Sequence, residues 1–91
     1  MYDISSYTKS AAKRLGVTVK PSTKASKKID VLKDGKVVAS VGAYGMGDFP
    51  TFLKTHGRAY AEERRRLYKA RHERHRHKVD TPSYYADQLL W

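Results

Sequence analysis

From Arg58 to Lys78 the chain runs RAYAEERRRLYKARHERHRHK. The stretch holds no proline or glycine and is dense in good helix formers, so it predicts one long helix. At about 100° per residue, Tyr60, Leu67 and Tyr68 fall on one side together with Arg64 and Arg71. Arg58, Arg65, Lys69, His72 and Arg76 fall on the opposite side. The expected helix thus has a thin aromatic–aliphatic seam and a broad cationic back. Three acids, Glu62, Glu63 and Glu73, stand among its bases. Pairs at i, i+4 such as Glu62–Arg66, Lys69–Glu73 and Glu73–His77 cannot neutralise it.

Upstream, Lys27 to Val41 carries the clearest local signal. Two short runs, KKIDVLK and KVVASV, flank Asp34-Gly35. Asp-Gly between alternating apolar residues predicts a two-residue type I′ hairpin, because both turn residues accept positive φ. Ile29 and Val31 then share one strand face, and Val37, Ala39 and Val41 share a face of the other. A lone hairpin is marginally stable, so its apolar face is expected to pack on the long helix. The glycine-rich GAYGMG, residues 42–47, lacks the spacing of the dinucleotide and Walker loops. It reads as a sharp turn with Tyr44 or Met46 tucked under the hairpin. Asp48 reads as the N-cap of a short helix with Pro50 in its first turn and Phe49, Phe52 and Leu53 as core. Thr55-His56-Gly57 ends that helix.

Further back, VTVKPSTKAS at residues 17–26 reads as a polar linker or extended arm. Ile4, Tyr7, Ala11 and Leu15 repeat at helical spacing, with Asp3 or Ser5 as N-cap and Gly16 as a left-handed C-cap. Downstream, Thr81 caps and Pro82 opens a last helix in which Tyr85 and Leu89 share a face. The segment VDTPSYYADQLLW is the most apolar in the chain and is read as folding back into the core. The expected division is a helix and connection over 1–19 and a basic hairpin–helix unit over 20–91. The expected class is α+β: a two- or three-stranded antiparallel sheet packed on one long basic helix, with short flanking helices.

Ninety-one residues suffice for one small domain, and a formal charge of +10 on them predicts attraction to polyanions. The excess is concentrated between residues 49 and 78, with ten basic residues against three acidic. Cysteine is absent, which excludes disulfides and thiolate zinc sites. There is no apolar run of membrane-spanning length and no apolar signal region at the N-terminus, so no membrane role and no secretion are expected. His72, His75 and His77 crowd near Glu73, but the surrounding arginines repel a divalent cation and there is no HExxH pattern. Asp30, Asp34 and Asp48 stand apart in sequence, which argues against a metal-dependent nuclease. No catalytic residue, metal or cofactor is assigned.

The order of the pieces resembles an uncharacterised family of small basic proteins encoded mainly by bacteriophages and large DNA viruses. The resemblance runs from about Lys20 to Trp91. It rests on Pro21-Ser22-Thr23 followed by lysines, a hairpin ending in Val41-Gly42, Tyr44, Asp48-Phe49 and His56. It continues through Arg64, Tyr68, Ala70-Arg71-His72, Thr81-Pro82 and Leu89-Leu90-Trp91. Ser83 and Tyr85 depart from the family pattern, and the interval from His56 to Arg64 is longer. The resemblance implies a viral or phage source and a packed or binding unit of Arg64, Tyr68, Arg71, His72 and Trp91. It implies no established activity.

Together these readings predict a non-enzymatic nucleic-acid binder, with DNA ahead of RNA and little sequence preference. Arginine forks and lysine point charges both suit phosphate. The expected contacts are Arg58, Arg65, Lys69 and Arg76, assisted by Arg66, Arg74 and the hairpin lysines Lys27, Lys28, Lys33 and Lys36. Tyr68, Arg71, His72, Leu89, Leu90 and Trp91 are expected to be core or partner-binding. The alternatives are a virion assembly protein docking acidic protein surfaces, or an inhibitor or adaptor of a host enzyme. The expected location is the host cytoplasm or nucleus, or the virion.

Overall fold

The computed structural model describes residues 2–91. Ser5 opens helix α1 (Ser6–Leu15) by accepting a hydrogen bond from the Thr8 amide, and Gly16 closes it at φ 73° and ψ 29°. Lys13 and Arg14 sit in its last turn, where positive charge suits the helix dipole. Strand β1 (Thr18–Pro21) follows at once, so part of the expected linker is a third strand. It pairs antiparallel with β2 (Lys27–Lys33), Val19 opposite Val31. Pro21 ends this edge strand, where its missing N–H leaves the ladder intact.

β2 and β3 (Lys36–Ala43) form the expected hairpin around Asp34 (φ 53°) and Gly35 (φ 79°). Sheet order is β1-β2-β3. The register shifts between Val31 and Leu32, whose partners are Ala39 and Val37. Ala39 and Val41 are buried, but Val37, which strict alternation places with them, is exposed. The irregularity breaks the period-two pattern at that point.

Asp48 caps α2 (Phe49–His56) through the Thr51 amide. Gly57, at φ 88° and ψ 173°, breaks the chain direction before α3 (Arg58–His72). Thr81 caps α4 (Pro82–Leu90), with Pro82 in the first turn. The α+β class is as the sequence predicts, and the antiparallel sheet has three strands where two or three are expected. The packing differs in one respect: the sheet is covered by α4 and α1, while α3 packs chiefly on α2. The core joins Ile29, Val31, Ala39 and Val41 to Ala11, Ala12, Tyr85, Leu89 and Leu90. Each large aliphatic side chain buried there stabilises the fold by about 1.5–3 kcal/mol. α1 therefore shares its core with the sheet and α4. Phe49 is buried as expected, whereas Phe52 and Leu53 are half-buried.

The long helix is also shorter than its composition predicts. Beyond His72 the chain continues in turns, with the His75 and Arg76 amides both donating to the His72 carbonyl. Asp80 takes a left-handed conformation (φ 67°) just before the Thr81 cap. Reversal here returns α4 to the sheet, which outweighs the helix propensity of residues 73–78. Tyr44 and Met46 are exposed rather than tucked under the hairpin. The glycines of this loop serve close packing instead. A Cβ on Gly42 would lie 2.8 Å from Leu90, and one on Gly47 would collide with the Phe52 ring.

Candidate nucleic-acid interface

Several cations read as an outward ridge are tied into the molecule. The Arg65 guanidinium lies 3.5 Å from the centre of the Phe49 ring and donates to the Tyr7 hydroxyl. Lys69 sits 2.8 Å from the buried Asp87, and Arg76 reaches both Glu73 (2.7 Å) and Asp87 (3.6 Å). Lys28 is buried 2.8 Å from Asp48. These four are corrected from outward phosphate contacts to internal ones. A helical wheel assigns faces but not what covers them. Tyr7 and Phe49 cover Arg65, and Asp87 of α4 draws in Lys69 and Arg76.

Arg58 and Arg66 remain in solvent beside Glu62 and Glu63, the latter pair being i, i+3 rather than Glu62–Arg66. Arg71, Arg74 and Lys36 are exposed, Lys27 is half-buried, and none of these four pairs with a carboxylate among the described residues. Lys33 lies 3.9 Å from Asp80, both in solvent. Leu89 and Leu90 are core. Trp91, half-buried, stacks on Tyr68 at 4.5 Å and 11°, and His72 lies against the other partner of that stack, Tyr68, at 4.2 Å. Tyr68, His72 and Trp91 thus form one aromatic unit.

That unit borders a cleft of about 260 Å³ between α3 and the end of β3. Leu67, Tyr68, Leu90 and Trp91 give it an apolar lining. Arg64, Arg71 and His72 stand on the α3 side, with Gly42 and Met46 across from them. The Arg64 guanidinium lies 5.5 Å from the Phe52 ring centre, and its Nε is buried without a hydrogen-bond partner. Burial, then the charges of Arg71 and His75, hold the His72 imidazole below its ordinary pKa, against the opposing pull of Asp87. The cleft thus pairs an aromatic lining with cations, an arrangement suited to an anion with an apolar body. The cleft residues Leu67, Met46 and Gly42 were not singled out as binding residues from sequence. The sequence marked Gly42 and Met46 only through the glycine-rich loop that carries them, and Leu67 only as part of the seam of the long helix.

Among the described residues, no group of three or more histidines and carboxylates gathers in metal-holding geometry. None of the described helices is long and apolar enough to cross a membrane. Compared with protein-family models, curated sequences and solved structures, the chain matches none.

Proposed function

We propose that the protein binds nucleic acid without catalysis, DNA ahead of RNA, through phosphate contacts with little sequence preference. One observation carries this reading. Among the described residues, six of the nineteen lysines and arginines pair with a carboxylate, and three carboxylates, Asp30, Asp48 and Asp87, are buried. Three acids are spent internally, and thirteen of the basic residues have no carboxylate partner among the described residues, so the outer surface keeps the positive field. The contacts are Arg71, Arg74, Lys27 and Lys36, with Arg58 and Arg66 free to exchange their solvent-exposed glutamates for phosphate. The resemblance to small basic phage and viral proteins makes viral DNA the first polyanion to test. The buried Leu89 and Leu90 leave little for a tail that docks on a neighbouring subunit.

The test is affinity for duplex DNA as a function of salt. Log affinity falls linearly with log salt, with a slope near −0.9 per phosphate neutralised. Arg71→Gln with Arg74→Gln makes that slope shallower by about 2. A flat response to salt removes the proposal.

A further inference from the structure

We infer that the cleft beside Tyr68 and Trp91 receives one unstacked base of a single-stranded nucleic acid. This rests on the nucleic-acid reading above and names the form of ligand that the site takes. Ligand pockets for drug-sized molecules run from about 300 to 1,000 Å³. At about 260 Å³ this one suits a single ring system. Its lining is aromatic and aliphatic, from Tyr68, Trp91, Leu67 and Leu90. Its α3 side carries Arg64 and Arg71, each of whose guanidinium groups is a hydrogen-bond donor. A base supplies a π face for the lining and ring acceptors for such a donor. The phosphates on either side of that nucleotide meet Arg71 and, three residues on, Arg74, both exposed and without a carboxylate partner among the described residues.

A duplex cannot offer a base without losing a pair and its stacking, whereas a single strand offers one at small cost. Single-strand binders commonly combine a positive track with aromatic platforms in this way. Base stacking of this kind distinguishes strands that carry bases from strands that carry only phosphates.

Trp91 is the chain's single tryptophan and lines the cleft, so its emission reports occupancy. The wild-type protein is titrated at fixed salt with oligothymidylate, with an abasic strand of equal length, and with a duplex of equal length. The expected result is quenching of Trp91 by oligothymidylate and affinity for it about tenfold above that for the abasic strand. Filling the cleft with Ala86→Phe, in protein shown to keep the wild-type melting temperature, abolishes that preference and leaves duplex binding unchanged. Equal affinity for the base-bearing and abasic strands, with no change in Trp91 emission, overturns base insertion and leaves phosphate binding standing. Binding to none of the three overturns the nucleic-acid reading itself. Self-association that buries Trp91 without nucleic acid assigns the cleft to a second copy and also overturns the inference.

Discussion

Lys28 and Asp48 bury opposite charges 2.8 Å apart, and the Tyr2 hydroxyl donates to the same Asp48 oxygen at 2.6 Å. Removing one partner from such a pair strands a charge in low dielectric. Lys28→Met is expected to lower the unfolding free energy by about 3–5 kcal/mol in urea titration, while Lys36→Met, on the exposed strand end, changes it little. Acid tests the same residues. The Ser22 and Ser40 hydroxyls hold the buried Asp30 below the ordinary carboxylate pKa. Burial alone would raise Asp48, but hydrogen bonds from Lys28, Thr51 and Tyr2 outweigh it and hold Asp48 low as well. An acid with a depressed folded pKa contributes stability that is complete above its unfolded value and disappears as pH falls through the folded one. The urea midpoint is therefore expected to drop below about pH 4, and Asp30→Asn is expected to flatten part of that drop. Burial and the hydrogen bond that it donates to Asp80 push the Tyr85 hydroxyl up to about 12, so Tyr85 stays protonated through the neutral range.

Among the elements, α4 has the most to lose. Leu89 and Leu90 lie in the core, the Leu89 carbonyl accepts from Thr8, and the Trp91 carbonyl accepts from Tyr7. Deleting Leu89 to Trp91 is expected to abolish the cooperative thermal transition seen by circular dichroism. Trp91→Ala, which removes one half-buried ring, is expected to cost about 2 kcal/mol, below the range for a fully buried aromatic. Locally encoded elements were legible in the sequence. Asp34-Gly35 requires a tight turn, Gly16 a left-handed cap, and Thr81-Pro82 a helix start, each whatever surrounds it. β1 was missed because four residues ending in proline carry too little alternation to stand out. α3 was read too long because propensity does not register the Glu73–Arg76–Asp87 cluster, which rewards turning back. For the site, the resemblance implied one unit of Arg64, Tyr68, Arg71, His72 and Trp91, and of these Tyr68 touches His72 and Trp91 ring to ring. The inward roles of Arg65, Lys69 and Arg76 were hidden because Tyr7, Phe49 and Asp87 arrive from distant parts of the chain. The one sequence hint was Asp87, one of two acids in the most apolar segment of a strongly basic protein.

For the molecule as a whole, the charge excess opposes compactness. Raising ionic strength shortens the screening length from about 30 Å at 0.01 M to about 8 Å at 0.15 M. The melting temperature of the free protein is therefore expected to rise over that interval in scanning calorimetry. The opposite trend would mean that exposed pairs such as Arg58–Glu62 outweigh the repulsion. Bound polyanion relieves the same repulsion and stabilises the native state further by mass action. The hydrophobic centre has a separate consequence for biosynthesis, because its closing helix follows everything else it covers. As a nascent chain leaves the ribosome, Ile29, Val31 and Val41 emerge well before the lid supplied by Tyr85, Leu89 and Leu90. Until that lid arrives the sheet has only α1 against it, and this is the interval in which the cell's chaperones have something sticky to hold.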